Sequence, residues 1–416
     1  MAAATAAAAN PKEAVCVTGA NGFIGSWLVR TLLEQGYTTI HASIYPSSDP
    51  THLFSLPGAT SPLVHLHVHE ADVLDPDAIL KAVEGCHGIF HVASPCSLDD
   101  PKDPETELVR PAVQGTLNVL EAARKAKVSR VVLTSSISAM VPNPKWDHET
   151  KGPFDESSWT DLEYCKDEQK WYPVSKTLAE KAAWEYAEKH GIDVVAINPS
   201  TCLGPLLQPN LNASCAVLLQ LLQGSKDTQE YHWLGAVHVR DVAKAQILLL
   251  ESPFASGRYL CTNGIYQFSQ FAQTVSQLFP QYPVHRFPFV FLFFSAHYKF
   301  EEEMQTLLYD AFGQQFSYSD REFFGNSFPC WLLTYYSLCL SRIFMLILLP
   351  HILLDLARIF NIERFRFAGE TQPGLVSCKD AAVRLIDLGL VFTPVEDAVR
   401  ETVESLVAKG FLKMQT

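Results

Sequence analysis

"AVCVTGANGFIGSWLVRTLLEQG", residues 14–36, decides the fold. Residues 14–17 are a short apolar run of the kind that forms a buried strand. Residues 18–25 then read T-G-x-x-G-x-x-G, with glycines at 19, 22 and 25. Phe23, Ile24, Trp27, Leu28, Leu32 and Leu33 follow at helical spacing, and Gly36 stands where a helix C-cap belongs. A glycine pattern between a strand and a helix is a phosphate-binding signal, because bare glycines let the backbone approach a pyrophosphate. The helix N-terminus adds N–H groups and the positive end of its dipole. A tight turn without a ligand would use the same glycines; the flanking strand and helix favour the ligand. The candidate contacts are Thr18, Gly19, Asn21, Gly22, Phe23, Ile24 and Gly25.

The same alternation runs onward. Strands are expected at residues 38–45, 63–73, 88–94, 130–136 and 193–198, with helical patterns between them such as "AVQGTLNVLEAARKA", residues 112–126. Strands alternating with helices predict an α/β fold with a doubly wound parallel sheet. Ligands of such sheets sit beyond the carboxyl ends of the strands. Those ends carry Gly19, Asp72, Ser94, Ser136 and Asn198.

Composition narrows the possibilities. The 416 residues suffice for a large domain with a lobe, and 48% hydrophobic content is enough for a sizeable core. A formal charge of −13 argues against a nucleic-acid partner, which would need basic groups for its phosphates. Ten cysteines are scattered without a CxxC pair or metal-ligand spacing, so free thiols in a reducing compartment are expected and no metal. Residues 1–11, alanine-rich, lack the basic start of a signal peptide and the arginine of a transit peptide. They read as a disordered leader on a cytoplasmic protein.

"QKWYPVSKTLAEKAAWEY", residues 169–186, places Tyr172 four positions before Lys176. A solvated i,i+4 pair is the bland reading. The proline at 173 and the alanine-rich run after it start a helix near Tyr172, with Lys176 one turn on and on the same face. Ser136 ends the preceding strand and enters the same cleft. A hydride delivered to a carbonyl carbon leaves an oxygen that needs a proton. A tyrosine becomes a competent donor when a neighbouring ammonium stabilises its phenolate, and a serine hydroxyl can hold the carbonyl in line.

"TGANGFIG", "TSSISA", "YPVSK" and "VHVRDVA" together resemble an extended short-chain dehydrogenase/reductase. More narrowly, "YPVSKTLAEKAAWEYA", "INPSTCLGPLLQPNLNAS" and "SGRYLCTNG" are similar to the plant reductases grouped with cinnamoyl-CoA reductase and dihydroflavonol 4-reductase. The likeness covers about residues 12–287 and 368–412. It implies a Rossmann domain over residues 12–200, exchanging elements with a smaller C-terminal substrate lobe over 201–287 and 368–416. It implies Ser136, Tyr172 and Lys176 as the catalytic set, with Lys176 also on the nicotinamide ribose. It extends the cofactor contacts to Tyr45, Asp72, Val73, Ala93, Ser94, Pro199 and Ser200, with Asp72 at the adenine. The implied activity is NADPH-dependent reduction of a small aromatic carbonyl of the phenylpropanoid or flavonoid type, with NADH left open. A sensor of the same fold that binds cofactor and turns nothing over is the alternative. His238 and Asp241 of "VHVRDVA" are as readily structural as catalytic.

The chain departs from that family in four places. The arginine usual after the second strand, where it would meet the 2′-phosphate of NADP, is replaced by Ile44, and no lysine or arginine occurs between Arg30 and Lys81. Tyr45, Ser47 and Ser48 could only offer hydroxyl donors. "KWYPVSK" stands where cinnamoyl-CoA reductases carry "NWYCYGK". Val217 and Gln220 stand where their substrate helix has a histidine and a lysine, which favours a free aldehyde or ketone over a CoA thioester. Trp171, Tyr231 and Trp233 are the aromatic candidates for the substrate ring. Last, residues 288–367 resemble nothing in the group and hold 14 of the chain's 25 phenylalanines. They read as an insertion, a retained intron first, an interfacial membrane helix second and a membrane span over 331–349 last.

Overall fold

Seven short, mostly apolar segments pair into one parallel sheet. In the computed structural model, which describes residues 12–95, 101–152, 154–224, 233–284 and 378–414, they are β1 (Val15–Thr18), β2 (Thr39–Ile44), β3 (His65–Glu70), β4 (Gly88–His91), β5 (Arg130–Thr134), β6 (Val194–Pro199) and β9 (Gly257–Cys261). Their order is β3-β2-β1-β4-β5-β6-β9, all neighbours parallel. Every residue of β1, β4 and β6 is buried, as continuous apolar runs covered on both faces should be. Edge strand β3, "HLHVHE", is only half-covered, and its histidines and glutamate blunt an edge that would otherwise pair with another chain. Residues 1–11, expected to be a leader, and residues 288–367, expected to be an insertion, lie outside the described residues.

Helices cover both faces. Numbering only the longer ones, α1 (Phe23–Glu34), α2 (Pro76–Val83), α3 (Arg110–Ala126) and α4 (Trp171–His190) occur between the strands. Ile79, Val83, Val119, Leu120, Ala183 and Ala187 pack with Ile89, Val131 and Val194 into one core layer. The chain between β6 and β9 leaves the sheet and returns. It contributes β7 (Thr201–Leu203), α5 (Ala213–Leu222), β8 (Trp233–His238) and α6 (Val239–Glu251).

A second sheet, ordered β11-β10-β8-β7, forms the lobe with β10 (Gly264–Gln267) and β11 (Cys378–Lys379). It is flanked by α5, α7 (Phe268–Leu278) and α8 (Val395–Ala408). The C-terminal stretch is an integral part of this lobe. Gly264 pairs with Lys379 and Ile265 with Cys378. The amides of Gly204 and Leu206 donate to Thr402 Oγ1 at 2.7 Å and Ser405 Oγ at 2.9 Å. Glu401 accepts from Arg240 at 2.5 Å and lies 3.3 Å from His238 Nε2, and Asp241 Oδ2 accepts from the Thr393 amide at 2.6 Å. His238 and Asp241 are both fully buried, and His238 Nδ1 caps α6 by accepting from the Arg240 amide. The "VHVRDVA" signature therefore fastens the tail to the lobe.

Candidate active site

The glycine turn leaves no room for other residues. Gly19 has φ +65°, and a Cβ there would lie 3.0 Å from the Ala93 backbone. A Cβ on Gly25 would sit 2.1 Å from the Gly19 carbonyl oxygen, so the first turn of α1 packs directly on the loop. No side chain caps the N-terminus of α1, and no acidic residue occupies its first turn. Its first N–H groups and dipole therefore face the strand ends without competition, which fits an anionic pyrophosphate.

Thr18 ties this turn to β4. Its Oγ1 accepts from the amides of Val92 and Ala93, both at 3.1 Å, and lies 2.9 Å from His91 Nδ1. With its lone pairs so used, the hydroxyl donates to Nδ1, and Nε2–H is left to donate to Thr116 Oγ1 at 3.2 Å. That fixes a neutral imidazole. Burial, and then the nearby Lys176 charge, push the His91 pKa down to about 3.

The adenosine end has a different character. Asp72 follows β3, is half-buried, and accepts from the Leu74 amide at 2.9 Å. The Val73 carbonyl accepts from Asn118 at 2.9 Å, and a Cβ on Gly115 would lie 2.6 Å from Val73 Cγ2. Tyr45 is 66% exposed. Ser94 borders a small cavity with Thr116, Thr134, Ser135 and Lys176. Pro199 is the last residue of β6, and Ser200 is buried, donating to Thr262 Oγ1 at 3.0 Å.

The three sequence-predicted catalytic positions gather at the end of β5 and the start of α4. Ser136 caps a single 3₁₀ turn over Ile137–Ala139, its Oγ accepting from the Ser138 amide at 3.1 Å. Tyr172 lies in the first turn of α4, half-buried. Ser175 and Thr177 lock that turn by donating to the carbonyls of Tyr172 (2.8 Å) and Pro173 (2.7 Å). Lys176 is 7% exposed; its Nζ lies 5.9 Å from the Tyr172 ring centroid and donates to the Thr134 carbonyl at 3.5 Å.

Behind this set lies a buried network that sequence reasoning missed. Glu180 stands one helical turn beyond Lys176 and is 1% exposed. Its Oε2 accepts from Ser135 at 2.5 Å and Asn198 at 2.9 Å, and its Oε1 from Arg258 Nε at 2.6 Å. Arg258 also donates to the carbonyls of Ala139, Glu156 and Ser158, and its guanidinium stacks 3.8 Å from the Trp159 ring centroid. Asn198 in turn holds the Ser136 carbonyl at 3.0 Å. The i+4 spacing from Lys176 was the one available signal for Glu180. Nothing in the sequence linked it to Arg258.

The substrate candidates are placed less uniformly. Trp171 packs beside Val109, Cys165 and Val174 at the base of α4. On α5, Val217 is half-buried and Gln220 exposed. Tyr231 lies outside the described residues, as does the side chain of Trp233.

The buried imidazole carries a pH dependence. An unfolded histidine titrates near about 6.5, and His91 folded titrates at about 3. Between those values the unfolded chain holds the extra proton, so stability is full above the unfolded pKa and falls as pH drops toward the folded one. Burial depresses His52, His69 and His238 in the same direction. The urea midpoint is expected to fall steadily from pH 7 to pH 5, with a shallower fall for His91→Asn. Equal slopes for the two proteins would remove His91 from the account.

The model of the NAD dependent epimerase/dehydratase family matches residues 15–261. Cinnamoyl-CoA reductase 1 of Petunia hybrida is 46% identical over 274 residues, 65% of this chain and 79% of that protein. Tetraketide alpha-pyrone reductase 1 of Arabidopsis thaliana is 42% identical over 279 residues, 66% of this chain and 83% of that protein. Among solved structures, vestitone reductase from alfalfa (Medicago sativa) aligns over 96% of this chain and all of its own, at TM-score 0.67 and 29% identity. Yeast methylglyoxal/isovaleraldehyde reductase Gre2, complexed with NADPH, aligns over 66% of this chain and 84% of its own, at TM-score 0.56 and 28% identity.

Proposed function

The chain belongs to the NAD-dependent epimerase/dehydratase family, and from that premise we propose that it is an NADPH-dependent reductase of a phenylpropanoid- or flavonoid-type carbonyl. The observation that carries this reading is the buried Lys176 ammonium, 5.9 Å from the Tyr172 ring centroid and donating to the carbonyl of Thr134, two residues before Ser136. Thr18, Gly19, Asn21, Gly22, Phe23, Ile24 and Gly25 would hold the pyrophosphate. Asp72, Val73, Ala93, Ser94, Pro199 and Ser200 would line the rest of the cofactor cleft, with Tyr45 at its adenosine rim. When bound, the nicotinamide supplies the hydride for the carbonyl carbon.

The protein's residues manage the oxygen. Ser136 Oγ, already accepting from the Ser138 amide, has its own O–H free to point at a carbonyl and hold it in line. Tyr172 gives its phenolic proton to that oxygen as negative charge develops. Lys176 stabilises the phenolate left behind, an electrostatic effect strengthened by the ammonium's burial. Trp171, Val217, Gln220, Tyr231 and Trp233 are the proposed substrate-facing positions. Among these, Val217 and Gln220 carry no charge for a CoA phosphate, which supports a free aldehyde or ketone ahead of a thioester.

The organisation proposed is a cofactor domain over residues 12–200 that exchanges elements with a lobe over 201–287 and 368–416, as β9 in the central sheet supports, and an inserted segment over 288–367. The pairing of Gly264 with Lys379 supports the lobe's two-part composition and sets both residues on one side of any membrane. Among the described residues no helix is long and apolar enough to cross a membrane. Cys16, Cys86, Cys165, Cys215 and Cys261 are buried thiols outside any disulfide, which supports a cytoplasmic setting. Sequencing the transcript across codons 287 to 368 tests the insertion; a dominant message encoding the segment would exclude a retained intron.

The test of substrate is NADPH oxidation by the purified chain with feruloyl-CoA and, separately, the matching free aldehyde. Turnover of the aldehyde alone is expected. Turnover of the thioester would show that Val217 and Gln220 are no bar to CoA, and silence with both would sink the phenylpropanoid reading.

A further inference from the structure

The loop after β2 borders the phosphate turn. The Ala20 amide donates to the Ser43 carbonyl at 3.0 Å, and Asn21 Nδ2 donates to Ser48 Oγ at 2.8 Å. In a doubly wound fold this is where the adenosine ribose is read. A guanidinium there accommodates a 2′-phosphate, whereas a carboxylate hydrogen-bonds the free 2′-hydroxyl. The present loop has no cation of its own, because none occurs in the sequence between Arg30 and Lys81. Ile44, at the end of β2, is 1% exposed and turned into the core. The Ser48 hydroxyl is committed, accepting from Asn21 and donating to the Tyr45 carbonyl at 2.5 Å. Asp49 accepts from both the amide and the hydroxyl of Thr51, bonds that hold its carboxyl below the usual range.

A carboxylate occupies the rim instead. Glu70 is the last residue of β3, paired in register with Ile44, and its Oε2 lies 3.5 Å from the Ser47 amide nitrogen. It is exposed, so it is available to a ligand. The loop and the β3 rim themselves offer a dianionic phosphate two acids and no lysine or arginine.

We infer that this chain does not select for the 2′-phosphate: it takes NADH alongside NADPH, with Glu70 as the residue that receives the unphosphorylated ribose. The inference rests on the dinucleotide-binding reading of the site and concerns the adenosine end alone. One neighbouring cation bears on it. Burial lowers the pKa of His52, in the short helix after the loop, and Lys409, at the C-cap of α8, adds to that against the opposing pull of Asp49.

Calorimetric titration of the full chain with 2′,5′-ADP and with 5′-AMP reads this end of the site without any turnover. The wild type is expected to bind the two within about tenfold of each other, and the kcat/KM values for NADPH and NADH are expected to match that ratio. Glu70→Arg, a change on the exposed rim, is expected to shift the binding ratio toward 2′,5′-ADP by about ten- to a hundredfold, the gain of one charge-assisted phosphate contact. A wild-type preference for the phosphorylated nucleotide above about a hundredfold would overturn the inference. If Lys409→Ala then abolished that preference, the tail would be the reader. Binding of neither nucleotide would sink the inference together with the cofactor site. A balanced binding ratio without carbonyl turnover would leave the inference standing and remove only the reductase assignment.

Discussion

Tyr172→Phe is expected to lower turnover by about 10²- to 10⁴-fold, the range contributed by a positioned general acid. The ring stays, so its packing in the first turn of α4 and the bonds from Ser175 and Thr177 to the backbone of that turn are retained. Only the phenolic oxygen is lost. Nucleotide affinity should therefore change by less than about threefold, well under the 1.4 kcal/mol that a factor of ten represents. Stopped-flow measurement of the hydride step, with a fluorescence titration of the cofactor, separates the two effects. A variant with unimpaired turnover would move the proton donor elsewhere. It would leave the reductase assignment standing, because a cofactor-binding sensor turns nothing over with or without the Tyr172 hydroxyl.

The parts of the site that were legible in the sequence are those set by local constraints. A φ of +65° at Gly19 and a 2.1 Å approach at Gly25 can be met only by glycine, so the turn is written into the composition of residues 18–25. The helix that begins at Trp171 is likewise local, fixed by Pro173 and the alanines after it. The buried strands were legible because both faces are covered, which makes their apolar runs continuous.

What was not legible depends on residues far apart in the chain. The seventh strand, Gly257–Cys261, lies within a stretch whose motif resembled the substrate region, and only its pairing with β6 assigns it to the central sheet. Glu401 reaches His238 from 163 positions away, so neither residue announces the other. Trp171 shows how little an aromatic residue declares by itself. It is half-buried and packs on one side against Val109, Cys165 and Val174, which leaves its proposed substrate contact neither required nor contradicted, because a large apolar ring is as useful to a core as to a ligand. Periodicity reports which face of an element is covered and says nothing about what covers it.

The Glu180–Arg258 pair yields the second large effect. Both charges are buried, and each is satisfied on several sides: the carboxylate by Ser135, Asn198 and Arg258, the guanidinium by three further carbonyls. Such a pair adds little net stability compared with well-packed apolar residues, because desolvation opposes the attraction. Removing one partner is different, since it strands a charge in a medium that cannot solvate it. Arg258→Met is therefore expected to destabilise the protein by about 3–5 kcal/mol, a large share of the roughly 5–15 kcal/mol that typically holds a domain folded. It would also free the carbonyls of Ala139, Glu156 and Ser158 and loosen the segment just after Ser136. The paired variant Glu180→Leu/Arg258→Met removes both charges and should recover a substantial part of the loss, a coupling that a double-mutant cycle by urea denaturation measures. Stability losses that simply add would show that the two side chains act independently. If the pair also positions the site, the double variant should regain stability while its turnover stays low, because Asn198 and Ser135 would still lack the carboxylate that orients them beside Ser136.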